Sequence, residues 1–220
     1  MRALPLLMLL VSGCELLDDL DPKDTAAADT AATTDTLTTP TAAFPAGFRA
    51  LVDGVVFVPP TCDPGAAEAC NARDDDCDGQ IDEGCGVPTG DGVQVVLAQV
   101  DAADFALSVE SPVAGHRLNV TADADVDYGG TFVRVRSERC TFAAPEDDVQ
   151  GALWEAPAPG SYRVDLSAPS GCDAFEGDID AVVEVGVAID GAFVGSFRIP
   201  HHQDAFGSTV VAQALAFDVP

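Results

Sequence analysis

Basic residues are scarce in this chain: ten Lys and Arg stand against thirty-seven Asp and Glu, a formal net charge of −27, and Lys23 is the one lysine. A nucleic-acid binder needs a basic footprint to displace counter-ions from phosphates, so that class is excluded. Adsorption to anionic lipid through a basic patch is excluded as well, and any membrane attachment has to be covalent. A long hydrophobic run is also missing. The apolar stretch from Ala3 to Val11 is too short to span a bilayer. Histidine occurs three times, as His116, His201 and His202. The last two are expected in a loop after Pro200, since neighbours on a strand face opposite ways and cannot share one centre. A nucleophile elbow, a phosphate loop and an H-E-x-x-H are all absent, so the expectation is a protein that is not an enzyme.

What the chain has in excess is acid, and it is concentrated. Residues 70–85 read Cys-Asn-Ala-Arg-Asp-Asp-Asp-Cys-Asp-Gly-Gln-Ile-Asp-Glu-Gly-Cys. So many carboxylates repel one another unless a counter-charge joins them. Asp74, Asp76 and Asp78 are spaced by two and followed by Gly79, which is the opening of the calcium-loop pattern D-x-[DN]-x-[DN]-G. Counting Asp74 as position 1, Gln80 at position 7 offers its backbone carbonyl. Ile81 can tuck into a small core, and Asp82 at position 9 can bind directly or through water. The pattern then departs from an EF-hand: position 12 is Cys85, the nearest acid is Glu83, and Gly84, Gly86 and Pro88 leave no room for a flanking helix. The candidate ligand set is therefore Asp74, Asp76, Asp78, Gln80, Asp82 and Glu83, on a cysteine-stapled loop, for a weak structural Ca2+ site. The competing reading is a solvated acidic loop held by disulfides.

The run Cys70, Asn71, Asp74, Asp75, Asp76, Cys77, Asp78, Gly79, Asp82, Glu83, Gly84 resembles the short MopE-type metal-binding motif of secreted and surface proteins of high-GC Gram-negative bacteria. Ala72 departs from it, at a position where the motif usually has Gly. The resemblance implies a metal-binding, exported, non-enzymatic context, and its name is associated with copper. Carboxylate ligands favour calcium over copper, which prefers imidazole or sulfur. Copper binding or sequestration, with His201 and His202 as ligands, remains the alternative.

The compartment follows from the N-terminus and the cysteines. Arg2 and the apolar Ala3–Val11 have the shape of a signal peptide, and Val11-Ser12-Gly13-Cys14 resembles a bacterial lipobox. That resemblance implies lipidation of Cys14 and anchoring to the outer membrane or cell surface of a Gram-negative bacterium. Removing Cys14 leaves six cysteines, an even number suited to disulfides in an exported protein. Cys62, Cys70, Cys77 and Cys85 surround the acidic loop with three connectivities open. They lack a C-x2-C pair, so zinc is disfavoured. Cys140 and Cys172 form the natural remaining bridge.

The organisation read from composition is a signal peptide over 1–13, a disordered Ala/Thr/Asp-rich tether over 14–43, a short extended segment over 44–60 that either leads into the next module or adds an edge strand to the β domain, the Cys-rich motif over 61–88, and a β domain over 91–220. In the last region short alternating runs such as Thr131–Arg136 and Tyr162–Leu166 alternate with turns, and Asp190-Gly191 marks a hairpin. The expected fold class is mainly β, an antiparallel β-sandwich preceded by the small disulfide-rich module. Its expected core is Val95, Leu97, Phe105, Leu107, Leu118, Val120, Phe132, Val135, Leu153, Trp154, Tyr162, Val164, Leu166, Val183, Val185, Val187, Phe193, Phe197 and Phe217. The stretch carrying Trp154, Pro157, Gly160, Tyr162 and Val164, with Ile189-Asp190-Gly191 and Phe197, resembles secreted β-sandwiches of the pre-peptidase C-terminal and YfaP-like type. That resemblance implies an accessory or adhesive role with a protein or glycan ligand, including service to a secreted hydrolase system. Asp123, Asp125 and Asp127, again spaced by two, are a second candidate cation site beside the plainer reading of a solvated turn.

Overall fold

The computed structural model describes residues 42–99, 105–136, 148–167, 179–203 and 211–220. The signal peptide, Cys14, nearly all of the tether, Cys140 and Cys172 lie outside the described residues. Two antiparallel sheets face each other. One has five strands in the order β1 (Phe48–Ala50), β12 (Val211–Val219), β9 (Gly160–Ser167), β4 (Ala106–Glu110) and β5 (Arg117–Asn119). The other has seven, in the order β2 (Val56–Val58), β11 (Ala192–Gln203), β10 (Ile179–Ile189), β3 (Val93–Gln99), β8 (Asp148–Trp154), β7 (Gly130–Arg136) and β6 (Ala124–Asp125). Among the described residues there is no helix, so none is long and apolar enough to cross a membrane.

The core between the sheets follows the period of two. Val93, Val95 and Leu97 of β3 and Val183, Val185 and Val187 of β10 meet Leu107, Val109, Tyr162, Val164, Leu166, Leu215 and Phe217 from the other sheet. A line of aromatic rings stitches the layers: Phe48 lies 5.2 Å from Phe197 and 5.3 Å from Phe217, Phe217 stacks 5.5 Å from Tyr162, and Tyr162 meets Trp154 edge-on at 5.3 Å. Such offset and edge contacts add to the area that these rings bury. At one end of the sandwich the buried Gln150 bridges the layers, accepting from the Leu107 N–H at 2.9 Å and donating to the Phe105 carbonyl at 2.5 Å.

Several expectations are corrected. Residues 44–60 form two short strands, not one: β1 extends the five-stranded sheet beside β12, and β2 extends the seven-stranded sheet beside β11. The sandwich therefore begins well before residue 91; Phe57 belongs to its core, and the half-buried Phe44 and Phe48 pack against it. Strand β11 continues through Pro200 to Gln203, with His201 opposite Ala181 and His202 opposite Asp180, so these histidines are strand positions and not a loop. Pro200 is tolerated because β2 pairs only as far as Arg198, leaving that side of β11 an edge. Val120 is 56% exposed, because β5 ends at Asn119. Val135 and Phe193 are half-buried. The Asp190-Gly191 hairpin forms as expected, with both residues at positive φ (53° and 68°), as the tight two-residue turn requires.

The two outer faces differ, and this places the acidic loop. That of the five-stranded sheet is polar: Arg163 pairs with Glu110 and Asp165, Arg117 lies within 3.8 Å of both carboxylates, and Arg49 bonds Asp218 and Ser161. That of the seven-stranded sheet carries Val96, Ala98, Val149 and Ala188, which need a cover. Ala72, Ile81 and Val87 of the Cys-rich segment provide it, and all are buried.

Candidate metal centre on the acidic loop

The loop is held to the sheet by shape, polar pins and a salt bridge. Gly186 of β10 lies directly under the Ala72 carbonyl, so that a Cβ at 186 would collide with it. Gly79 approaches the Gly191 carbonyl of the hairpin just as closely. The buried Gln94 of β3 accepts from the Ile81 N–H at 3.0 Å and donates to the carbonyls of Ile81 (2.9 Å) and Pro88 (3.0 Å). Arg73 reaches Glu184 on β10 through two nitrogens, at 2.5 and 3.1 Å. Ser196 and Arg198 complete the shell around this buried carboxylate at 2.5 and 3.2 Å. Burial alone would raise the Glu184 carboxyl; the bonds from Arg73, Ser196 and Arg198 outweigh it and hold it below the usual range.

The four loop cysteines pair crosswise, Cys62 with Cys77 and Cys70 with Cys85, resolving the three connectivities. Each bridge closes a sequence separation of 15 residues. On loop entropy each contributes about 3 kcal/mol by restricting the unfolded chain. The double change Cys70→Ser, Cys85→Ser is therefore expected to lower unfolding free energy by about 2–4 kcal/mol in urea titrations. A loss under 1 kcal/mol would show the bridge to be incidental.

Within this frame the carboxylates converge in two groups that share Asp76. Ligand atoms of Glu68, Asp74 and Asp76 lie within 4.8 Å of one another, and so do those of Asp76, Asp78 and Glu83. Asp74 is buried and organises the loop: its two oxygens accept from the N–H groups of Cys77 (2.7 Å) and Gly79 (3.0 Å). Asp76 accepts from the Asp78 N–H at 3.1 Å, and Asp78 from the Gln80 N–H at 2.8 Å, which curls the chain so that alternate side chains share one side. Cys77 and Asp82 take left-handed φ values of 69° and 55° to make the curl. Ala72 also sits at φ 62°, which explains on backbone grounds why glycine suits that position in the similar motif.

Of the six expected ligands, Asp74, Asp76, Asp78 and Glu83 are brought together. Asp82 belongs to neither group of carboxylates. Asp82 is fully buried and turned the other way, its oxygens 2.9–3.1 Å from the N–H groups of Asn71 and Ala72. Burial pushes its carboxyl up to about 7 against those bonds. Glu68 was not expected. It stands six residues before Asp74, outside the forward-counting calcium template, yet it accepts from the N–H groups of Asp75 (2.8 Å), Asp76 (3.0 Å) and Asp82 (3.1 Å). The sequence signal was its isolation, a lone acid in Ala66-Ala67-Glu68-Ala69. Burial raises the Glu68 carboxyl, and the Asp75 charge adds to that. Burial likewise raises Glu83, with the charges of Glu68, Asp78 and Asp76 adding to it. Glu83 Oε2 is buried without a hydrogen-bond partner. Residues 61–88 carry eight carboxylates and one basic residue, Arg73, which is committed to Glu184.

The second acidic triplet is split. Asp123 is exposed, Asp127 is 71% exposed at its side chain, and Asp125 points inward to Trp154 and His116. Comparison with protein-family models, with curated proteins and with solved structures finds no match to this chain.

Proposed function

We propose that this chain is a lipid-anchored surface protein whose acidic loop binds one calcium ion as a structural element, and whose sandwich presents a surface to a protein or glycan ligand. The observation that carries the cation reading is Glu83 Oε2, buried and unpaired beside Asp76 and Asp78, in a loop whose one basic side chain is engaged elsewhere. Leaving a charged acceptor buried without a partner is costly, and a divalent cation supplies the partner and cancels the repulsion. The donors are oxygens only, which favours calcium over copper. Anchoring rests on the lipobox-like Val11–Cys14 and the apolar segment before it. The role is binding, not catalysis.

Calorimetric titration of chelator-stripped protein tests the reading. One calcium per chain is expected to bind, and at a calcium concentration about 100-fold above Kd it adds about 2.7 kcal/mol of stability, a rise in Tm of about 5–10 °C. Asp76→Ala removes the ligand common to both groups and is expected to abolish the heat and the Tm shift. No heat at millimolar calcium would overturn the proposal.

A further inference from the structure

A cluster of one histidine and two carboxylates lies at the β6 edge of the seven-stranded sheet. His116, just before β5, places Nδ1 3.0 Å from both oxygens of Asp125, the last residue of β6. Asp125 is itself fixed: Trp154 Nε1 donates to it at 3.1 Å and the Asp127 N–H at 3.2 Å. Asp125 is buried, so its oxygens depend on these donors for their hydrogen bonds. With both Asp125 oxygens at Nδ1, the ring tautomer that donates its Nδ1–H to the carboxylate is the one that pairs them, and it leaves Nε2 with a free lone pair. Nε2 faces Asp127 Oδ2 at 4.0 Å. Two ligands of one tetrahedral zinc, each about 2.0–2.2 Å from the ion, lie about 3.4 Å apart, so the exposed Asp127 side chain has to swing in by about 0.6 Å to share an ion with Nε2.

We propose that His116 Nε2 and the Asp127 carboxylate bind a divalent metal of the imidazole-preferring class, of which Zn2+ is the probe. Asp125 is the positioning residue, holding the ring in the tautomer that can ligate. A metal-bound histidine usually has such a carboxylate on its other nitrogen. The ring is gripped further by Tyr128, edge-on at 5.2 Å, and by the turn in which the His116 N–H donates to Val113 and its carbonyl accepts from Ser111. The His116 side chain is 24% exposed and that of Asp127 71%, so the ion enters from solvent and water fills its remaining positions. Calcium is the wrong ion here because one ligand is nitrogen. The Asp123, Asp125, Asp127 triplet is thus replaced as a site by one histidine and one aspartate, with Asp125 behind them.

The test is Zn2+ titration of the chelator-stripped full-length chain in an Asp76→Ala, Asp78→Ala, His201→Ala, His202→Ala background, which removes the acidic loop and the other histidines as competitors. One Zn2+ per chain is expected, with the His116 ring 15N signals shifting on binding. Asp127→Asn, at an exposed position that leaves the fold intact, is expected to weaken binding at least tenfold. Asp125→Asn presents an N–H to Nδ1, reverses the tautomer, and is expected to weaken Zn2+ binding about 10–100-fold while Asp127 remains in place. Zn2+ binding indifferent to both changes, or no shift of the His116 ring, would overturn the site.

Discussion

Gly186→Val is expected to lift the acidic loop off the sandwich and to weaken calcium binding at least tenfold, although residue 186 is no ligand. A Cβ there collides with the Ala72 carbonyl and approaches the Ile81 side chain to 3.2 Å. Neither contact can yield by a rotamer change, because one is backbone and the other belongs to a fully buried residue. The loop must move, and Ile81, Ala72 and Val87 lose their seat on Val96, Ala98 and Val149. Re-exposing Ile81 alone costs about 1.5–3 kcal/mol, and overpacking adds to it, so a loss of about 3 kcal/mol in urea unfolding is expected. The far-ultraviolet circular dichroism should stay β-like, since the core between the sheets is untouched. Calcium affinity equal to the parent's would mean that the loop binds the ion without its platform, and would sink the idea that docking shapes the site.

Trp154→Ala is expected to be the most destabilising single change in the described core, by about 3–5 kcal/mol, a large share of the 5–15 kcal/mol typical of a domain. Trp154 is fully buried, contacts Tyr162 edge-on and donates to the buried Asp125. Trp154→Phe separates the two contributions. It keeps most of the volume and removes the donor from Asp125, which retains His116, so a cost of about 1–2 kcal/mol is expected. Denaturant titrations with an unchanged m-value measure both. An alanine variant losing less than 2 kcal/mol would show that the neighbourhood collapses into the space, and that Trp154 does not key the two sheets together. The phenylalanine variant has a second reading: with Asp125 less constrained, Zn2+ binding at His116 should fall as well.

Much of this was legible in the residues themselves. The sandwich could be read because period-two alternation is local: Thr131–Arg136 and Tyr162–Leu166 show their inner and outer faces in five or six residues. The hairpin was legible for a similar reason, since Asp-Gly tolerates the two left-handed φ values that the turn needs. Where reading failed, the deciding partner was distant. Residues 44–60 read as one extended segment because composition does not say that β1 and β2 pair with strands some 140 to 170 residues away, in different sheets. Pro200 argues for a loop at His201 and His202, but its missing N–H is tolerated in β11 because β2 stops short.

The acidic loop shows the same division most sharply. By itself the sequence determined the charge, the spacing of Asp74, Asp76 and Asp78, the turn at Gly79 and the disulfide-forming cysteines around the loop, because each depends on residue type and near neighbours. Only the tertiary structure decided that Glu68 joins and Asp82 turns away, that the cysteines cross-pair, and that the loop roofs a β-sheet through Gly186, Gln94 and Glu184. The physical reason is that a carboxylate's orientation depends on which backbone N–H groups and which apolar floor it meets. For this loop the floor is strands β3, β8 and β10, which no spacing rule within residues 61–88 contains.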